Sequence, residues 1–133
     1  ISMALVNVQT RRYHIVKTLD EVTHFLGVNP QKEGEYRIDE DFPGHINSVM
    51  NEFCTKAQRK ETLEFVDIST VEDRLRGKNT IVHEFIGKVS GWCRERFIPV
   101  DYDADGRLWH VLYCVENIDE EKRRENSIWH RLI

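Results

Sequence analysis

What this chain lacks narrows its chemistry first. Its three cysteines, Cys54, Cys93 and Cys114, are odd in number, far apart and without a Cys-x-x-Cys pair, so neither a disulfide framework nor a cysteine zinc site is indicated. Such cysteine usage fits a reducing cytoplasm. No stretch approaches the roughly 18 to 20 apolar residues that span a bilayer, and the opening Ile1-Ser-Met-Ala-Leu-Val-Asn-Val has no basic region ahead of an apolar one. No membrane contact by this segment is expected. Positive charge is also missing in excess: 19 basic residues stand against 23 acidic ones, for a net charge of -4, so nothing global attracts a phosphate backbone and nucleic acid is not an expected partner.

The familiar catalytic and metal signatures are missing as well. No Gly-x-Ser-x-Gly, P-loop or dinucleotide fingerprint occurs, and the six histidines include no His-x-x-x-His pair and no His-Glu-x-x-His. Asp101-Tyr-Asp-Ala-Asp-Gly106 opens like a calcium loop, but its twelfth position, where a bidentate Glu closes such loops, is Leu112. A hairpin turn with solvated acids is the expectation there. Cys93 has no neighbouring histidine in the sequence to activate it and reads as a packed thiol. Glu84 and Glu95, on neighbouring strand candidates, are the best available pair of titratable groups for a cavity-based enzyme if both face inward.

What is present is the material of one domain. A chain of 133 residues can bury about two-thirds of its unfolded surface around a single core. Met3, Leu5 and Val8, then Tyr13, Ile15 and Val16, read as two strands around the polar corner Gln9 to Arg12. Thr18-Leu-Asp-Glu21 is a capping box and Gly27 a helix stop, so a short helix is expected between them, followed by a loop over residues 28 to 41. Phe42, Ile46, Val49, Met50 and Phe53 then repeat at three to four residues, giving the main helix an apolar stripe aimed at the sheet, with Asp41 as N-cap and Pro43 in the first turn. Leu63 and Val66 continue that helical pattern, and Ser69-Thr-Val-Glu72 is a second capping box that starts a helix ending at Gly77. From Thr80 the chain turns to β-branched and aromatic residues, giving three strands at about 80–88, 91–100 and 107–117, and the acidic-then-basic run from Asp119 suits a terminal helix. The composition therefore reads as α+β. The chain begins in a strand-like run and ends on Arg131-Leu-Ile, so a segment of a longer protein is expected.

Phe65-Val-Asp-Ile-Ser-Thr-Val-Glu-Asp-Arg-Leu, Glu84-Phe-Ile-Gly, Gly91-Trp-Cys-Arg and Val111-Leu-Tyr-Cys-Val-Glu-Asn-Ile-Asp-Glu-Glu-Lys-Arg-Arg-Glu, in that order and spacing, resemble a bacterial PAS subfamily. The subfamily lies ahead of GGDEF diguanylate cyclase or histidine kinase domains, and the resemblance covers roughly residues 2 to 125. It implies a five-stranded antiparallel sheet with the first and last strands central and adjacent, helices inserted between strands 2 and 3, and a C-terminal linker helix. It also implies a sensor domain at 1–118, a signalling helix at 119–133, and sensory input or dimerisation as the function. Output would belong to a domain elsewhere in the same polypeptide, and the GGDEF motif is missing here, so this segment is expected to be non-catalytic.

Members of the family often hold a small molecule between sheet and helices, which makes Trp92 and Trp109 candidate pocket residues. The cofactor is unknown. His45 lies on the main helix without a haem signature, and the flavin-binding Asn-Cys-Arg-Phe-Leu-Gln motif is missing. At the junction the family's Asp-Ile-Thr pattern reads Asn117-Ile118-Asp119, which keeps an acceptor at the first position and offers Asp119 as an N-cap. Ile128, Trp129 and Leu132 supply a small apolar face for a homodimer through the terminal helix. Two other readings remain open, a small α+β enzyme and a ligand-free interaction module.

Overall fold

The computed structural model describes residues 2–16 and 40–132. In chain order these form β1 (Ser2–Asn7), β2 (Arg12–Val16), β3 (Glu40–Asp41), α1 (Phe42–Phe53), α2 (Arg59–Phe65), α3 (Val71–Leu75), β4 (Ile81–Gly87), β5 (Gly91–Tyr102), β6 (Leu108–Asn117) and α4 (Asp119–Leu132). The sheet runs β3-β2-β1-β6-β5-β4, every neighbour antiparallel, so the first and last long strands are adjacent at its middle. Five long strands make the sheet. The sixth, β3, has two residues and extends the β2 edge where a loop was expected. The helix expected between Thr18 and Gly27 lies outside the described residues, as does residues 28–39 of that loop.

Side-chain alternation gives the sheet two different faces. On the helix-covered face, Val6, Phe97, Val111 and Tyr113 pack with Phe42, Met50, Val71 and Leu75, all buried. Phe42 is the hub, with ring centroids 5.5 Å from Tyr113 and 6.3 Å from Phe97 in edge-on geometry. On the opposite face, Leu5, Val16 and Leu112 form a smaller cluster.

The helix boundaries follow from local chemistry. Asp41 caps α1 through its carboxylate, which accepts from Gly44 N at 3.1 Å, and Pro43 sits in the first turn, where no intrahelical donor is needed. The helix does not run on to Leu63 and Val66. It stops at Cys54, which is extended and bridges to Gly87, and α2 restarts after a one-turn 3₁₀ segment at Lys56–Gln58. Ser69 is not the cap of the next segment. Asp67 takes that role, its carboxylate accepting from Ser69 N at 3.1 Å to start the 3₁₀ turn Ile68–Thr70. Glu72 is thereby free to reach across to the β5–β6 turn, where it accepts from Arg107 Nε and Nη2 and from Leu108 N. These hydrogen bonds, the Arg107 side chain's first, draw its carboxyl down to about 2. At that turn Asp103 Oδ1 accepts from Asp105 N and Arg107 N, each at 2.9 Å, so this carboxylate builds the hairpin.

Phe53 departs from the expectation. It shares the angular phase of Phe42 and Ile46, but as the last residue of α1 it reaches past the core and is 49% exposed. Helical spacing sets the angle around the axis and says nothing about how far along it the sheet extends. Phe42→Ala is therefore expected to cost about 3 to 5 kcal/mol and Phe53→Ala only about 1 kcal/mol, measured by urea denaturation. Equal costs at the two positions would contradict this account of the core.

Candidate functional site

β5 carries a carboxylate into the core. Cys93, Glu95 and Phe97 alternate onto the helix-covered face and all three are buried, Glu95 completely. Its cross-strand partner on β4 is His83, whose Nδ1 lies 3.0 Å from Glu95 Oε1, and the Tyr113 hydroxyl on β6 donates to Oε2 at 2.5 Å. The His83 ring stacks on Phe65 at 5.3 Å, and the Arg74 guanidinium lies over that same Phe65 ring, 5.2 Å from its centroid. Burial raises the Glu95 carboxyl above the ordinary range, while the bonds from His83 and Tyr113 and the Arg74 charge pull it down. Burial, then the neighbouring Glu95 charge, pushes the Tyr113 phenol well up.

Glu84 does not join Glu95. It is one residue along from His83, so its side chain is on the opposite face, where Lys122 and then Arg94 hold its carboxyl below the usual range. The inward carboxylate pair needed for a cavity-based enzyme is not formed. What the sequence reading missed is the trio His83, Glu95 and Tyr113, since strand register, which chooses cross-strand partners, is not written in any one strand.

A cavity of about 330 Å³ lies between α1 and the β1, β2 and β6 strands, reaching the β4–β5 corner. Tyr13, Phe42, Met50, Phe85, Cys93 and Tyr113 supply much of its wall, with Gly87 and Ser90 at the corner and Phe53 and His45 at the α1 side. His45 stacks on Tyr13 at 5.3 Å. Neither Trp92 nor Trp109 is among the described residues that line this cavity. Trp92 follows the alternation of Arg94 and faces the other side of the sheet. Trp109 falls at an irregularity of the β5–β6 register near the Asp103–Gly106 turn, at the opposite end of the sheet from Ser2, Ser90 and Val115, and is 42% exposed.

The junction residues converge on the β4–β5 corner. Asn117 Nδ2 donates to Ser90 O at 2.6 Å, while its Oδ1 accepts from Asp119 N at 3.0 Å. Ile118 is buried and its N donates to Trp92 O at 2.9 Å. Asp119 is the first residue of α4 and not its N-cap; its Oδ1 accepts from Trp92 N at 3.3 Å and its Oδ2 from Arg123 at 2.7 Å. Gly91 makes room for this: its φ is +75°, and a Cβ there would sit 2.5 Å from Asp119 Oδ1.

The first turn of α4 is then latched to the outer face of β4 and β5. Arg94 bonds Glu84 at 2.9 Å and Glu121 at 2.7 Å, Lys122 reaches Glu84 at 2.7 Å, and the Lys122 ammonium lies 4.9 Å above the Trp92 ring. Trp92 is thus a packing partner of the terminal helix. Beyond this latch Ile128, Trp129 and Leu132 are exposed, at 55%, 65% and 76%. Among the described residues no group of three or more His, Cys, Asp or Glu is arranged to hold a metal ion, and no helix is long and apolar enough to cross a membrane.

No family model and no curated protein matches the chain. Among solved structures it is similar to the crystal structure of the N-terminal domain of a diguanylate cyclase with a PAS/PAC sensor from Marinobacter aquaeolei, at 14% sequence identity and a TM-score of 0.50, over 91% of this chain and 97% of that one. The fold is accordingly α+β and PAS-like: an antiparallel sheet with its first and last strands paired at the centre, helices between its second and third long strands, and a C-terminal helix.

The buried carboxylate yields a pH test. A raised folded-state value means that Glu95 favours the native state while protonated and that this contribution is lost as pH rises through it. Glu95→Gln is therefore expected to gain stability relative to the parent chain as pH rises above the ordinary carboxyl value of 4.5, followed by urea midpoints. A difference that stays constant with pH would show that the carboxyl is not perturbed in this direction.

Proposed function

We propose that this chain is the sensory input or dimerisation module of a bacterial signalling protein, with 1–118 as the sensor and 119–133 as the signalling helix. The observation that carries this reading is the convergence at the β4–β5 corner: Ser90 both walls the cavity and holds Asn117 at the root of α4. Catalysis is assigned to an output domain outside this chain, and the likeness to a diguanylate cyclase sensor domain favours a cyclase over a histidine kinase. The module works in the cytoplasm and performs no reaction of its own.

In this reading Asn117, Ile118 and Asp119 are the signal-transfer junction. Their bonds to Ser90 and Trp92 favour one exit direction for α4, and a change at the corner shifts the population between directions. In the parent protein, Asn117→Ala with Asp119→Ala is expected to leave the core folded and to disconnect output from signal. Output that responds to the native signal with its normal amplitude in this double variant would reduce the junction to a passive link.

Dimerisation is assigned to the far half of α4, because the three exposed side chains Ile128, Trp129 and Leu132 leave an apolar face on a helix that is otherwise polar. Sedimentation of the chain is expected to show a concentration-dependent dimer, and Trp129→Glu to shift it to monomer. A chain that stays monomeric at high concentration would remove this assignment.

A further inference from the structure

Beside Cys93, which lines the cavity and stands opposite Asn117 across β5 and β6, Ser90 lies where the cavity wall meets the root of α4. Its hydroxyl lies over Gly87, close enough that a Cβ there would collide with it, and 3.3 Å from Cys93 Sγ on the cavity wall. Its carbonyl accepts the 2.6 Å bond from Asn117. The corner around it is held on the third side by α1 and the segment after it, through Lys88 N to Phe53 O at 2.7 Å and Thr55 N to Ile86 O at 3.1 Å. Of these contacts the one to Cys93 is the weakest, because a thiol is a poor hydrogen-bonding partner, so it is the one that a better donor or acceptor would displace.

The cavity also restricts what could do so. Among the described residues that line it there is no Lys, Arg, Asp or Glu, and the Tyr113 hydroxyl is already committed to the buried Glu95. A charged group entering it would lose water without gaining a Lys, Arg, Asp or Glu counter-charge from these described residues. The body of the wall is apolar and aromatic, and the serine hydroxyl of the corner is a polar anchor at one end.

We propose that the cavity takes an uncharged, mostly apolar molecule whose polar end bonds Ser90 Oγ, and that Ser90 is the positioning residue through which its arrival alters the hold on α4. The inference rests on the sensory reading, of which it names the ligand class and the relay. When the ligand takes the hydroxyl away from Cys93 Sγ, Ser90 turns about a corner that has Gly87 on one side and Gly91 on the other. Its carbonyl moves with it, and the bond to Asn117 lengthens.

2-Naphthol and 2-naphthoate, alike in shape and different in charge near neutral pH, test the chemistry on this chain, with titration calorimetry for affinity and hydrogen exchange of the Trp92 and Ile118 amides for the relay. 2-Naphthol is expected to bind saturably, 2-naphthoate on the order of tenfold or more weaker. Saturation is expected to raise exchange of the two amides several-fold, about what a small shift in the closed population produces. In Ser90→Ala, compared at saturation, that rise should vanish, and Ser90→Thr, which keeps the hydroxyl, should restore it. Equal binding of the two probes, no binding of 2-naphthol up to its solubility, or an exchange response that persists in Ser90→Ala would each overturn the proposal. The sensory reading fails separately, if the parent protein's output ignores 2-naphthol while the isolated chain still shows the Ser90-dependent response.

Discussion

β1 and β6 lie side by side from Ser2 opposite Val115 to Asn7 opposite His110, so the first and last long strands form the centre of the sheet. Every other element is arranged outward from that pairing: β2 and β3 on one side, β5 and β4 on the other. The loop it closes is most of the chain, yet the entropy of closure grows only with the logarithm of length, about 0.6 kcal/mol for each doubling. The greater consequence is kinetic, since so non-local a contact must form before the core between the strands and α1 is complete. It also means that α4 departs from a central strand, beside β5 and within reach of β4.

The second constraint is the period of two along β5. Glu95 is buried among aromatics while Arg94 and Arg96, its neighbours, face the other way toward Glu84, Glu116 and α4. A register slip of one residue would place two guanidinium groups in the core and the buried carboxylate in the latch, so the pairing of β4 with β5 is strongly specified. The Glu95 trio contributes little in stability terms, because desolvation of the buried carboxyl offsets much of what its bonds to His83 and Tyr113 gain. What it does provide is a fixed orientation for Tyr113, which forms part of the cavity wall.

The hold on α4 is of a different kind. Its bonds are partly exposed to solvent, and ion pairs in such positions contribute on the order of 0 to 1 kcal/mol each. Arg94, Lys122, Asn117 and Asp119 together therefore favour one helix position by a modest margin, the range in which a ligand with a small preference between two states can change their populations. A core of Phe42, Phe97 and Tyr113 that packs edge to face does not have that freedom. The molecule combines a firmly specified sheet with a lightly held terminal helix, and the β4–β5 corner is where the two meet.

Local features were readable from the chain alone wherever the physics is local. Asp41 and Pro43 announce the start of α1, Phe42, Ile46 and Met50 its buried stripe, Asp103 and Gly106 the hairpin, and the acidic start at Asp119 the terminal helix. The order of strand-like segments, with the quoted motifs, also carried the PAS-like layout. The depth of Phe53, the separate faces of Glu84 and Glu95, the meeting of His83 with Glu95 and Tyr113, and the position of Trp92 under Lys122 were not readable in this way. Each depends on which residue of one strand stands opposite which residue of another. A periodic pattern fixes which side chains share a face, but only the assembled sheet decides what that face meets, because register is set by the burial of all the strands together.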